Sequence, residues 1–340
     1  MKHHEFWHPR LFEAPYYAYL LGRCALHGIS PRGLAKANYA LDHGELGIGS
    51  KYHTQMAFAQ NRFMATIQVQ LPKSLEACAA LQSFVADNGF PLILKPDIGV
   101  VGKGVLKVSD VQELEAELQR LNGTYLLQGF CPHENEYGVF FVRSGGSNRI
   151  TGINRKHFPT VVGNGVDTIG SLARAHPRYT DHWPLFLKYL DTQRVPADQE
   201  QVRLSFIGSH TMGCKFTDDT HLLTEPLAEA IYAVCDSQPG FNFGRFDVKT
   251  ADEKALQSGE FTIIEINGVA SLPTHMFDPE KTVFQAWKIF LEHGRYLSRC
   301  AAEQRHRDMH LDSYPTLWRR AKRVTRSLDQ MHAQALAEDR

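Results

Sequence analysis

Two segments of strict alternation set the tightest condition on how this chain folds. In Gly244-Arg245-Phe246-Asp247, polar and apolar residues take turns. Eighteen residues after Asp247 comes a second such run, Ile264-Glu265-Ile266-Asn267. Successive side chains of a strand point to opposite faces, so Arg245 and Asp247 share one face. Glu265 and Asn267 share one face of a second strand in the same way. Paired as a hairpin, the two strands draw together two carboxylates, an amide and a guanidinium beside apolar Phe261, Ile263 and Ile264. Three oxygen donors with room for water and phosphate suit Mg²⁺. A divalent ion also explains how two acids can stand side by side. The competing reading is a solvent-facing strand with ordinary charges, and the apolar neighbours argue against it.

A second constellation is Lys95-Pro96-Asp97-Ile98-Gly99-Val100-Val101-Gly102-Lys103-Gly104. Glycines let backbone N–H groups approach phosphate oxygens, and lysine supplies charge. The order is not that of a Walker loop: no Ser or Thr follows Lys103, and a strand rather than a helix comes next. A two-residue hairpin turn is the bland alternative. Against it stands Lys95, which closes the apolar strand Leu92-Ile93-Leu94. An ammonium there must meet an anion or bear its own desolvation.

Around these motifs the periodicity describes a mixed α/β (α+β) chain dominated by antiparallel pairs. Residues 13–26 and about 52–66 read as helices, the second with Met56, Ala59, Phe63 and Met64 near one face. Between them Gly44, Gly47 and Gly49 mark a turning loop from Asn38 to Lys51. A helix over 74–88 stops at Asn88-Gly89. Ser109 and Gln112 form a capping-box pair ahead of a helix with Val111, Leu114, Leu118 and Leu121 on its apolar face. Strands are expected at 92–94, 105–108 and 125–130, and longer extended segments at 136–144, 148–157, 200–209, 242–250 and 259–267. Helices are expected at 168–176, 183–191, 226–237 and 281–293, and the last forty residues read as polar and helical.

At 340 residues the chain has room for two or three domains. Its 37 basic and 37 acidic residues cancel, which argues against a general nucleic-acid binder. Cys24, Cys78, Cys131, Cys214, Cys235 and Cys300 are scattered, signalling neither a zinc site nor a disulfide framework. The polar start is not a signal peptide, and the longest apolar run, Ala14 to Leu26, is broken by Arg23. The expectation is a soluble, cytoplasmic protein with no membrane partner.

In this order and spacing, the residues resemble the ATP-grasp superfamily, specifically its carboxylate–amine ligases similar to D-alanine–D-alanine ligase. The shared series is a strand ending in Lys-Pro, a glycine loop, a capped helix, a strand leading to a hinge, an acid, Arg-x-Asp and Glu-x-Asn. It covers about residues 90–270. The resemblance implies two α+β lobes gripping ATP: a small lobe over 71–132 and a large lobe over 133–296. A short N-terminal region (1–70) would precede them and a helical, basic tail (297–340) would follow.

By the same resemblance, Lys95 and the loop residues Gly99, Gly102, Lys103 and Gly104 would bind the phosphates. Gln128, Gly129 and Phe130 would form the adenine hinge. Glu136 falls where a ribose-binding acid would stand, with Glu134 competing for that role. Lys156 would be a second phosphate contact, and Arg245 would stabilise a developing oxyanion. Asp247, Glu265 and Asn267 would hold one or two Mg²⁺, with Mn²⁺ as a substitute. Lys51 reads equally as a further phosphate lysine or a surface residue, and Asn164 is assigned no role.

The implied reaction joins a carboxylate to an amine through an acylphosphate, releasing ADP and phosphate, with amino acids as the expected substrates. The short N-terminal region and the stretch Ser271 to His275 depart from the namesake ligase, so its substrate does not carry over. Alternatives are a phosphotransferase without an amine acceptor and a non-catalytic nucleotide-binding protein. Cys214 reads as a small buried residue before an acyl-accepting thiol. His157 and His275 read as structural before functional. Arg143 and Arg155 are balanced between carboxylate clamps and surface pairs. Residues 314–328 hold five bases and no acid, namely Arg319, Arg320, Lys322, Arg323 and Arg326. A solvated helix is the first reading of that segment and a dock for an acidic carrier the second. Homodimerisation is a further expectation from the resemblance.

Overall fold

Apolar residues spaced by three and four open the chain as α1 (Pro9–His27), whose Phe12, Tyr16, Leu20 and Cys24 are buried. Pro9 at its first position and left-handed Gly28 after its last turn fix its ends. The computed structural model describes residues 3–99, 102–180, 182, 186 and 190–337, with side chains to 326. After α1 the chain runs through 3-10 turns to the short α2 (Lys51–Met56).

A four-stranded antiparallel sheet follows. It comprises β1 (Thr66–Leu71), β2 (Leu92–Pro96), β3 (Leu106–Val108) and β4 (Gly123–Gly129), in the order β1-β4-β2-β3. Helices α3 (Ala79–Asn88) and α4 (Val111–Arg120) cover one face, where Leu81, Leu92, Leu94, Leu114, Leu118 and Leu127 are essentially inaccessible. Truncating any of these to alanine would cost about 2–5 kcal/mol. The alternate positions Ile93, Lys95 and Gln128 are left facing the second sheet.

That second sheet has five strands in the order β11-β10-β5-β6-β9. They are β5 (Asn135–Ser144), β6 (Ser147–His157), β9 (Lys215–Asp218), β10 (Phe243–Thr250) and β11 (Thr262–Asn267). Between β6 and β9 lie β7 (Thr160–Val162), α5 (Ile169–Ala175) and β8 (Gln201–Arg203). The far face of the large sheet packs Tyr137, Val139, Ile153, Phe246 and Val248 against α6 (Glu225–Asp236) and α7 (Glu253–Gln257). At one end of its near face, Phe140, Val142 and Phe243 are covered by α1 and by α8 (Val283–Glu303). The chain ends in α9 (Tyr314–Ala337). β7 and β8 pair as a third, two-stranded sheet, and the whole is of the mixed α+β class with antiparallel pairs that was expected.

Several local expectations are corrected. The helix expected over 52–66 stops at Met56, because Met64 N donates to Ile263 O (3.1 Å) and Phe63 bridges Ile263. The chain is drawn out beside β11 and enters β1 at Thr66, inside the stretch assigned to the N-terminal region. The cap of α4 is Asp110, not Ser109: its carboxylate accepts from Gln112 N and Glu113 N at 2.8 and 2.9 Å. The Glu113 carboxylate accepts from Ser109 N, one residue before the cap, so the expected reciprocal box does not form. The extended segment 200–209 pairs only over Gln201–Arg203, then turns across the large sheet. The connection 97–105 is far longer than a two-residue turn. Strand β9 was not expected, and four residues are too few to show a period. The helix expected over 183–191 falls largely outside the described residues.

Candidate active site

The hairpin read from the alternation exists. In β10 and β11, Asp247 stands opposite Glu265 and Arg245 opposite Asn267. All four groups face the small sheet across a cavity of about 410 Å³. Arg245 grips Asp247 with two bonds, Nε to Oδ1 at 2.7 Å and Nη2 to Oδ2 at 3.2 Å. Its remaining nitrogen, Nη1, donates to Leu272 O. Gly138 of β5, opposite Asp247, makes room for this guanidinium. A Cβ there would lie 2.2 Å from Asn154 Oδ1 and 2.8 Å from Arg245 Cδ.

Register also brings Glu136 of β5 opposite Lys156 of β6. Lys156 Nζ donates to Glu136 Oε1 at 2.6 Å and lies 3.1 Å from Asp247 Oδ2. All three side chains are buried. Burial alone would push the Asp247 carboxyl up, but the Arg245 and Lys156 charges outweigh it and hold it well below the usual range. For Lys156, burial is likewise overcome by Asp247 and Glu136, and its ammonium is held above the ordinary lysine value.

The opposite wall comes from β2, β4 and the glycine loop. Lys95 Nζ donates to Gln128 Oε1 (3.0 Å) and to Ile264 O (3.3 Å). Burial pushes its ammonium down to about 8, despite the attraction of Glu265. Gly102, at φ 76°, lets the loop approach the 204–210 segment; a Cβ would meet Ile207 Cγ2 at 2.3 Å. Phe130 lines the cavity with cations beside its ring: Lys107 at 4.6 Å and Lys249 at 5.7 Å from the centroid.

A third wall comes from the N-terminal region. Asn38 Oδ1 accepts from Asn242 N and Phe243 N, and its Nδ2 donates to Phe243 O and Gly44 O. This seats the 42–51 loop against the ends of β10 and β11. Asp97 fixes the other end of the loop, accepting from Ser50 Oγ, Tyr52 N and Gln68 Nε2 at 2.9–3.0 Å. The loop brings Glu45 and Lys51 to the cavity, and Lys51 Nζ donates to Glu265 Oε1 at 2.5 Å. Burial would raise the Glu265 carboxyl, but Lys51 and Lys95 hold it down. Burial leaves the Glu45 carboxyl raised despite the nearby Lys51.

Among the described residues no three His, Cys, Asp or Glu side chains converge as a protein-only metal cage. The donor set that is present, two adjacent carboxylates and an amide, fits a hard cation that completes its shell with phosphate and water. Asp247, which is buried, and Glu265, which is half-buried, are each held by cationic side chains.

Of the residues singled out by sequence, Lys95, Gly99, Gly102, Lys103, Gln128, Gly129, Phe130, Glu136, Lys156, Arg245, Asp247, Glu265 and Asn267 all line this cavity. Gly104 lies in the loop, at φ 74°, but not on the cavity wall. Val100 and Val101 fall outside the described residues. Glu136 reaches the cavity, whereas Glu134 is exposed outside it. Lys51 is no surface residue. Arg143 pairs with Asp236 and Arg155 with Glu253, both away from the cavity. Cys214 is buried, with its thiol pushed up to about 12 by desolvation. His157 and His275 do not line the cavity, and burial pushes both down to about 4. Sequence reasoning missed Glu45, Asp97 and Lys249. Lys249 was legible, since it continues the alternation of Arg245 and Asp247. Glu45 and Asp97 depend on a loop closing from elsewhere.

No protein-family model matches the chain, and no curated protein does. Solved structures with which it shares a likeness include the bifunctional glutathione synthetase of Pasteurella multocida, at 17% identity and TM-score 0.39. That match covers 72% of this chain and 35% of the other, so the chain spans about a third of that protein. The D-alanine–D-alanine ligase of Bacillus anthracis is 13% identical, with TM-score 0.42, covering 76% of this chain and 70% of that one. The VanG D-Ala:D-Ser ligase of Enterococcus faecalis is 14% identical, with TM-score 0.41, covering 75% and 64%.

Proposed function

We propose that this chain is an ATP-dependent ligase of the ATP-grasp type, joining a carboxylate to an amine with release of ADP and phosphate. One observation carries the reading. Arg245, Asp247, Glu265 and Asn267 share one face of a hairpin, and across the same cavity they meet Lys95 and the glycine loop.

Asp247, Glu265 and Asn267 would hold Mg²⁺, which when bound neutralises phosphate charge. Lys95 and Lys156 offer fixed cations on opposite walls, suited to clamp the phosphates of ATP and orient the terminal one. Gln128, Gly129 and Phe130 line the cavity and would meet the flat base, to which the Phe130 ring offers an apolar surface. The substrate carboxylate would attack the terminal phosphorus. The amine would then displace phosphate from the resulting acylphosphate. Arg245, held in place by Asp247, would stabilise the oxygen charge that grows in that second step. The glycine loop would close over the cavity and keep water from the acylphosphate.

The test is a screen of paired amino acids and small carboxylates for ATP-dependent phosphate release, with mass spectrometry of the products. The expected result is a conjugate lighter than its two components by one water, absent in Glu265→Ala at an unchanged melting temperature. ADP formation with a carboxylate but no conjugate under any amine would assign the site to phosphotransfer instead. Undiminished turnover in Glu265→Ala would remove the metal assignment.

A further inference from the structure

The helix α9 stands apart from both sheets and has no part in the cavity. From Tyr314 its apolar residues recur at steps of three and four: Leu317, Trp318, Ala321 and Val324. That spacing gathers them on one face. Arg319, Arg320, Lys322, Arg323 and Arg326 occupy the other, with no acid from Ser313 to Leu328. The helix is tied to the body at its start. Arg32 lies over the Tyr314 ring, and Arg320 contacts His43 and Asp312. Among the described residues, no hydrogen bond or ion pair joins 321–326 to the rest of the protein. The apolar face is open along one side: Trp318 is 63% and Tyr314 53% exposed and Ala321 is exposed, while Leu317 and Val324 are half-buried.

We propose that α9 lies in the surface of an anionic lipid bilayer. Charge complementarity chooses this occupant. A helix whose charged residues as far as Leu328 are all basic, with Trp, Tyr and Leu on the opposite face, settles at the boundary between headgroups and acyl chains. Basic residues gain from anionic headgroups, and indole and phenol rings favour that same depth. Lys322 sits where the two faces meet, so its stem covers apolar surface while its charge stays among the headgroups. Lys322 already packs over the Trp318 ring at 4.6 Å. An acidic protein would use the basic face and leave the indole in water; a second copy would bury the indole and bring basic faces together. A lipid surface takes both faces of the helix at once. No helix of the described residues is long and apolar enough to cross a membrane, so the attachment is to its surface. The proposal stands on α9 alone and does not depend on the reading of the cavity.

The test is flotation of the full chain with vesicles of phosphatidylcholine containing phosphatidylglycerol, against vesicles of phosphatidylcholine alone. The protein is expected to float with the anionic vesicles only, and to be released by high salt. Tryptophan emission should shift to the blue on binding, and the shift should vanish in Trp318→Phe. Arg319→Glu combined with Arg323→Glu should lower partition by roughly tenfold or more, at an unchanged melting temperature. Absence of flotation, equal flotation with both vesicles, or full flotation of the double variant would overturn the proposal. Equal affinity for poly-glutamate would also overturn it, in favour of an acidic protein. So would a dimer, seen by sedimentation without flotation, that Trp318→Glu dissolves; this would give the face to a second copy.

Discussion

Lys51 Nζ and Glu265 Oε1, 214 positions apart in sequence, form a hydrogen-bonded ion pair at the edge of the cavity. A cation on the N-terminal loop therefore neutralises the carboxylate proposed to hold a metal ion. The two cations compete for one oxygen. In Lys51→Met, Mn²⁺ affinity without nucleotide, read by paramagnetic resonance, is expected to rise by about tenfold, or ~1.4 kcal/mol. An equal or weaker affinity would show that Lys51 supports the site instead of shielding it.

Asp97 holds three donors from two segments. Asp97→Ala strands Ser50 Oγ, the Tyr52 amide and the Gln68 amide together. A loss of about 2–4 kcal/mol in urea unfolding is expected. Faster hydrogen exchange at Tyr52 should accompany it, because the loop loses its second anchor. Wild-type exchange at that amide would show that Asn38 alone seats the loop.

Gly138→Ala places a methyl against Asn154 and Arg245. The nearest atoms all belong to those two side chains, so the Asn154 amide and the Arg245 side chain must move. Destabilisation of about 1–3 kcal/mol is expected. The rate of the proposed amide-forming step should fall more than ATP affinity does. Equal losses in both would separate Arg245 from that step.

His275 and His293 lie 5.6 Å apart between their ring centroids, both buried. His293 donates through Nδ1 to Ile289 O, because a carbonyl can only accept, and Nε2 is left to accept from Thr151. Desolvation pushes His293 down to about 3 and His275 to about 4, from 6.5. Between those values and 6.5 the unfolded chain binds more protons than the folded one. Each histidine's contribution is therefore whole above 6.5 and is lost as the pH falls towards its folded value. In His293→Gln, unfolding free energy should fall less steeply between pH 6.5 and 4, by up to about 1.4 kcal/mol per pH unit. Parallel slopes for the two proteins would show that His293 is not excluded from protonation.

The cavity was legible wherever its chemistry ran along a strand. Arg245, Asp247, Glu265 and Asn267 declare themselves by a period of two, and a charged residue in such a run has few other uses. Lys95 was legible because a cation ended an apolar strand. What sequence could not show was closure over distance. The 52–66 segment carries a helical pattern, yet Ile263 O captures Met64 N and extends it. Lys51 carries no local mark that tells a buried cation from a surface one; the anchors at Asn38 and Asp97 decide its place, and each finds partners far away in the chain.

The side-chain amide of Asn38 makes four bonds, three of them to main-chain groups of Asn242 and Phe243. The first fifty residues are thereby a fitted part, not an interchangeable cartridge. A chimaera that swaps them for a segment from another protein would inherit a hairpin with its main-chain groups unmet and a Lys51 no longer seated beside Glu265. Recombination at this junction succeeds only when the donor segment brings its own amide to seat the loop that carries Lys51.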